Sequence, residues 1–316
     1  MKILVIATGG TIGSAFDGSS IDVIRDGSCP VAERYAAEYP DVNFDTINPL
    51  NILSERLSAD DLTILAEVLL TTDYSRFDGV IITAGSDNLA YLSAFIGLLC
   101  ADKDAPVCIV ATNMILTDPR SNGEANFACA VELIRQGIAG VYVPYRNSDG
   151  VIYIHEATDI RQADMSDDFY GFHGAYAVFD GSFRTVREPI LQKLPAVFDR
   201  YHLPIIRDNV LLIHPYPLQD YSRFSMDGVK AVLHTLYHSA TLDSSAAERF
   251  IGSLGETPLF LASLRSDRKI YATTAEALAM GAIPLYDIAP ECAYMKLLLA
   301  CAQEKMPIRE FMEAKR

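Results

Sequence analysis

Short, unbroken apolar runs recur along this chain with amphipathic stretches between them, and that alternation restricts the fold more than any other feature. Ile3–Ala7, Val80–Thr83, Val107–Ala111, Val141–Val143, Val210–Ile213 and Leu259–Ala262 are almost wholly apolar. A strand with one wet face would alternate polar and apolar residues. These do not, so each is expected to be covered on both faces, as in a parallel sheet. Helical patterns fill many of the gaps: Ala59–Leu70, Leu89–Leu99, Ala125–Gln136, Met226–His238 and Ala246–Leu254. The predicted fold class is therefore α/β, a mostly parallel sheet with helices on both faces. A polar, proline-bearing stretch from Arg184 to Pro204 interrupts the pattern, which then resumes. It predicts a larger N-terminal α/β domain over 1–183, a linker over 184–207 and a smaller C-terminal α/β domain over 208–316. With 316 residues, half of them hydrophobic, the chain can build both cores. No repeat at a solenoid period and no low-complexity tract intervenes.

Composition narrows the partners. The chain carries 41 acidic and 26 basic residues, a formal net charge of −15. Nucleic acid and anionic membrane surfaces repel such a polyanion, and no Lys/Arg run offers a local exception. No apolar run is long enough to span a bilayer. The opening Met-Lys-Ile-Leu-Val-Ile-Ala stops at Gly9–Gly10, too short for a signal-peptide core. The six cysteines form no C-x-x-C pair, so zinc and thioredoxin motifs are lacking and reduced core thiols in the cytoplasm are expected. The same charge keeps a protein in solution and is compatible with a small zwitterionic or acidic substrate in a locally tuned pocket.

In parallel α/β sheets, ligands bind at the carboxyl ends of strands. Three turns there contain chemistry. Ala7-Thr8-Gly9-Gly10-Thr11-Ile12-Gly13 follows the first strand. Its glycines permit a sharp turn and bring backbone N–H groups near a ligand, and Thr11 presents a hydroxyl. A Thr in such a place is often just a cap, and attacks only with a base and oxyanion donors nearby. A dinucleotide reading is weaker, because the glycines are spaced Gly-Gly-x-x-Gly. Thr83-Ala84-Gly85-Ser86-Asp87-Asn88 follows the strand at Val80. Ser86 and Asp87 stand where a helix from Leu89 wants a cap, and by itself that reading is preferred. The functional alternative has Ser86 handling a proton and Asp87 anchoring an ammonium. Leu53-Ser54-Glu55-Arg56 is either a solvated loop or a pair of acceptors and donors for an amino acid's head group.

Together these turns resemble the bacterial L-asparaginases. A Thr-Gly-Gly-Thr-Ile turn and a Gly-Ser-Asp turn some seventy residues later are far more specific as a pair than singly. Ser54-Glu55 is similar to the family's substrate loop. Tyr271-Ala272-Thr273 and the stretch from Gly281 to Glu291 resemble the C-terminal part of the short cytoplasmic type. The resemblance implies hydrolysis of the side-chain amide of L-asparagine, or L-glutamine, through a Thr nucleophile and an acyl-enzyme, without metal or organic cofactor. It makes Thr11, Ser86 and Asp87 catalytic. Ser54, Glu55, Gly10 and Gly85 would line the substrate, and the assembly would be a homodimer or a dimer of dimers.

The chain also departs from that pattern. Ala84 replaces a His before the second turn, and no Tyr follows Thr11 until Tyr35, in a predicted helix. The family's relay Lys has no counterpart, since no Lys occurs between Lys103 and Lys193. Gln162, within Thr158-Asp159-Ile160-Arg161-Gln162, aligns at or near its position. An amide neither takes nor gives a proton usefully at neutral pH. The alternative reading is therefore a catalytically impaired amino-acid-binding or regulatory protein. His155 and His173 lie in the same region, and each is expected to be a histidine satisfied by local hydrogen bonds.

Overall fold

β1 (Lys2–Ala7) is built from residues that leave water completely, with Ile3, Val5 and Ile6 at 0% exposure. The structure is a computed structural model that describes every residue except 11, 13, 17–20, 24–28, 191 and 315–316. For residues 14–16 and 21–23 only the backbone is described.

The chain continues through a short antiparallel ribbon, β2 (Ser14–Phe16) and β3 (Ile21–Val23), into α1 (Pro30–Glu38) and β4 (Asn43–Ile47). Then come α2 (Ala59–Thr71), β5 (Gly79–Thr83), α3 (Leu89–Cys100), β6 (Val107–Val110), α4 (Gly123–Arg135) and β7 (Val141–Arg146). Ser58 starts α2 with a capping box closed by Asp61, which satisfies otherwise orphaned N–H groups. α3 has Leu, Ala, Phe and Ile on every face and is buried along nearly its whole length. β8 (Ile152–Glu156) turns back antiparallel to β7, and β9 (Ile160–Arg161) pairs with β10 (Tyr170–Gly171) in a separate ribbon. β11 (Ala177–Phe179) and β12 (Phe183–Thr185) complete the main sheet.

Among the described residues that sheet has eight strands, ordered β12-β11-β8-β7-β6-β5-β1-β4. The five from β4 to β7 run parallel, and β8, β11 and β12 extend it antiparallel. The mostly parallel α/β architecture read from the sequence is the one found. A second unit holds β13 (Val210–Ile213), β14 (Ala231–Thr235), α5 (Ser244–Ser253), β15 (Leu259–Leu264), α6 (Ala272–Ala279), β16 (Ile283–Tyr286), α7 (Pro290–Cys301) and α8 (Ile308–Glu313). Its four strands form a parallel sheet in chain order.

Two expectations are corrected. Met226–His238 is not helical: Ala231–Thr235 forms β14, hydrogen-bonded between β13 and β15. Its apolar residues suit either period, and Gly228 at φ +74° breaks a helix before it starts. The stretch 184–207 is not a plain linker either. Arg184 and Thr185 lie in β12, paired with Val178 and Ala177. The chain divides into Met1–Gln192 with Phe198–Leu203 and Lys193–Val197 with Pro204–Arg316, so it passes between the two units more than once. Among the described residues no helix is long and apolar enough to cross a membrane, and no His/Cys/Asp/Glu group could hold a metal ion.

Candidate active site

From β1 the chain goes to β4 on one side, then to β5 on the other. The connections leaving β1 and its neighbours therefore diverge, which opens a crevice at their carboxyl ends. The ends of β1 and β5 are tied by the buried Thr8, whose Oγ1 donates to the Thr83 carbonyl at 2.7 Å. The loop after β4 joins through the Gly10 N–H, which donates to the Ile52 carbonyl at 2.9 Å, and the Ile52 N–H, which donates to the Thr8 carbonyl at 3.2 Å.

Glycine lets these turns come so close. Gly10 sits at φ +77°, and a Cβ there would lie 2.4 Å from the backbone N and Cα of Gly85. A Cβ on Gly85 would in turn lie 2.4 Å from the Cβ of Ser54. Three turns thus interlock where side chains are missing. Gly10→Ala combines the left-handed penalty with a backbone collision. It is expected to cost about 3 kcal/mol and to separate the turns. Urea denaturation showing a loss under about 1 kcal/mol would contradict this packing.

The Ser54 Oγ donates to Asp87 Oδ2 at 3.2 Å, and the Asn88 side-chain amide donates to the Ser54 carbonyl. Asp87 is exposed and Ser86 half-buried. The capping reading of this turn is overturned: the N-cap of α3 is Asn88, which makes no side-chain cap bond, and Asp87 turns to Ser54 instead. The uncapped start of α3 leaves N–H groups and a positive dipole end beside these residues, suited to negative charge. Asn88 bracing Ser54 was not legible in the sequence, where it reads as ordinary turn polarity. Glu55 is exposed on the short 3₁₀ turn Ser54–Arg56. Among the described residues no hydrogen bond joins its carboxylate to the cluster. Thr11, together with Gly13, lies outside the described residues.

Gln162 does reach this place. Its Nε2 donates to the backbone carbonyl of Asp87 at 2.5 Å, across 75 residues of sequence. The segment leading to it is held by a buried ionic network. Asp159, 3% exposed, accepts from Arg187 Nη2 at 2.8 Å, from His173 Nδ1 at 2.6 Å and from the His173 N–H at 3.2 Å. Arg187 also pairs with Glu156, whose carboxylate takes the Ile190 N–H at 2.8 and 2.9 Å. Removing one member of such a set leaves an uncompensated buried charge, so it fixes the 156–161 segment firmly.

His173 is satisfied by Asp159 and is no substitute base at Asp87. The Phe172 N–H bonds the Asp159 carbonyl, which places His173 at the far end of the β9–β10 ribbon from Gln162. His155 differs from expectation. It is 1% exposed, and neither ring nitrogen has a hydrogen-bond partner among the described residues. Burial, and then the charge of Arg187, depress its pKa to about 4. His234 in the second unit is likewise lowered to about 4 by burial, with its Nε2 against the Tyr221 hydroxyl at 2.7 Å.

Between the unfolded value of about 6.5 and the folded value, only the unfolded chain takes up these protons. Stability is therefore full above about pH 6.5 and falls as pH drops toward 4, by about 3 kcal/mol per histidine. Urea melts of the wild type and His155→Leu across that window check this, with the variant expected to have the shallower slope.

The pattern of the family described as "Asparaginase, N-terminal" matches residues 2–179. An L-asparaginase of Thermococcus kodakarensis is 26% identical over 145 residues, 46% of this chain and 44% of that protein. The chain thus aligns with less than half of that relative's length. A glutamyl-tRNA(Gln) amidotransferase component of Pyrococcus horikoshii is 25% identical over 336 residues, covering 98% of this chain and 74% of that protein. Among solved structures, the thermostable L-asparaginase from Thermococcus kodakarensis superimposes with a TM-score of 0.80 at 21% identity, over 100% of this chain and 98% of that one. A probable cytoplasmic L-asparaginase from Campylobacter jejuni gives 0.77 at 19% identity, over 99% of each. These two likenesses concern the fold.

Proposed function

This chain belongs to the asparaginase family, and on that premise we propose that it is an amidohydrolase cleaving the side-chain amide of L-asparagine, with L-glutamine as the second amide. The observation that carries the reading is the contact of Ser54 with Asp87 beside the Gly10–Gly85 approach. It supports one crevice shared by three turns that lie far apart in sequence.

The Thr11 hydroxyl attacks the amide carbon, and its proton passes toward Ser86 and on to the departing nitrogen. Backbone N–H groups of the two glycine turns and the open N-terminus of α3 stabilise the oxyanion. Ammonia leaves, water attacks the ester on Thr11, and the acid is released with the hydroxyl restored. Asp87 binds the substrate's ammonium, while Ser54 both orients Asp87 and reaches the amino-acid end. Glu55 adds a second carboxylate for the ammonium once substrate draws the 3₁₀ turn inward. The substrate is zwitterionic, so a net charge of −15 does not repel it. The same reading places the chain in the cytoplasm, as a homodimer or a dimer of dimers.

Gln162 favours a second reading. Its amide is engaged with the Asp87 carbonyl, and it cannot relay a proton as a Lys would. On that view the crevice binds an amino acid and turns it over poorly or not at all. Because the relatives include both an asparaginase and an amidotransferase component, both amides belong in the assay. Ammonia release from either by the purified protein supports the hydrolase. Thermal stabilisation by asparagine with no ammonia supports the binder. Neither effect removes both readings.

A further inference from the structure

A pocket of about 410 Å³ opens at the same edge of the main sheet, but over β6 and β7. Asn113, Arg120 and Asn122 come from the connection after β6. Arg146, Asn147, Ser148 and Gly150 come from the end of β7, and Ser166 to Asp168 close the side. Asp87 follows β5, the neighbour of β6, yet none of these residues belongs to the cluster around it.

The charges in this pocket are unequally committed. Arg120 is held by Asp118 at 3.0 and 2.7 Å. Asp168 accepts the Ser148 N–H at 2.6 Å and the Ser148 hydroxyl at 2.7 Å. Arg146, half-buried, sends one bond to the Ser121 carbonyl at 3.2 Å and pairs with no carboxylate among the described residues. Asp167 likewise has no ion pair or hydrogen bond among them. One guanidinium and one carboxylate are thus left to face a guest.

The wall between these two groups is fixed by Asn122, whose side-chain oxygen accepts the Asn113 N–H at 3.0 Å and whose amide donates to the Arg146 carbonyl at 2.9 Å. It ties the connection after β6 to the end of β7.

We propose that this pocket is a second small-molecule site, built for an α-amino acid as its zwitterion. The carboxylate lies against Arg146, and the ammonium lies against Asp167. A simple anion such as phosphate would meet Asp167 and Asp168, and a simple cation would meet Arg146.

The test is calorimetry on the full chain with L-serine, a neutral zwitterion with no side-chain amide to hydrolyse. Asp87→Asn silences the crevice of the proposed function, so serine bound by that variant reports this pocket. Against that background, Arg146→Gln and Asp167→Asn are each expected to weaken serine binding at least about tenfold. N-acetyl-L-serine and L-serinamide, each lacking one charge, should bind comparably poorly. Asp167 is exposed, so its variant keeps the test sound if Arg146→Gln fails to fold. The proposal falls if Asp87→Asn abolishes serine binding. It also falls if neither pocket variant changes it, or if inorganic phosphate binds more tightly than serine and tighter still in Asp167→Asn.

Discussion

Thr11→Ala is expected to lower ammonia release from L-asparagine at least about 10³-fold while asparagine still stabilises the protein against heat. Alanine removes the attacking oxygen and little else, and the parts that hold the amino-acid head group remain. Ser54 keeps its bond to Asp87, and the Gly10–Gly85 approach involves no threonine atom. Loss of turnover with retained binding is the signature of a nucleophile rather than of a packing residue. Thr11→Ser restores a hydroxyl and should recover much of the rate. If the alanine variant releases ammonia at the wild-type rate, the acyl-enzyme route through Thr11 is wrong, and the early turn serves only to shape the backbone.

Gln162→Lys is expected to raise the rate by about 10²–10⁴-fold, the usual worth of a positioned general acid or base. Gln162 already touches the Asp87 carbonyl, so a lysine there reaches the turn carrying Ser86 and Asp87 without backbone movement. Its ammonium can keep the bond to that carbonyl and sits beside acidic Asp87. The change should therefore leave stability within about 1 kcal/mol. The gain should appear in kcat more than in KM, since the new group acts on a proton and makes no ground-state contact with the amino-acid head. An unchanged rate in a folded variant would place the base elsewhere, and neither His155, sealed in β8, nor His173, bound to Asp159, is positioned to supply it.

The amino-acid order by itself determined the layered sheet. Continuous apolar segments such as Ile3–Ile6 and Val80–Ile82 have no face that tolerates water, so helices must cover both sides whatever the details. It also marked the glycine turns, because positive φ and close backbone approach admit little else. It could not separate helix from strand at Ala231–Thr235, where a compact apolar run satisfies both periods and hydrogen bonds from β13 and β15 decide the matter. Nor could it tell whether Asp87 caps α3, because a capping and a binding role ask for the same carboxylate in the same turn. The tertiary structure removed the capping role by making Asn88 the N-cap and bringing Ser54 to Asp87 and the Gln162 amide to its carbonyl. Strand order β5-β1-β4, read from no local pattern, is what makes neighbours of Ser54 and Asp87, 33 positions apart.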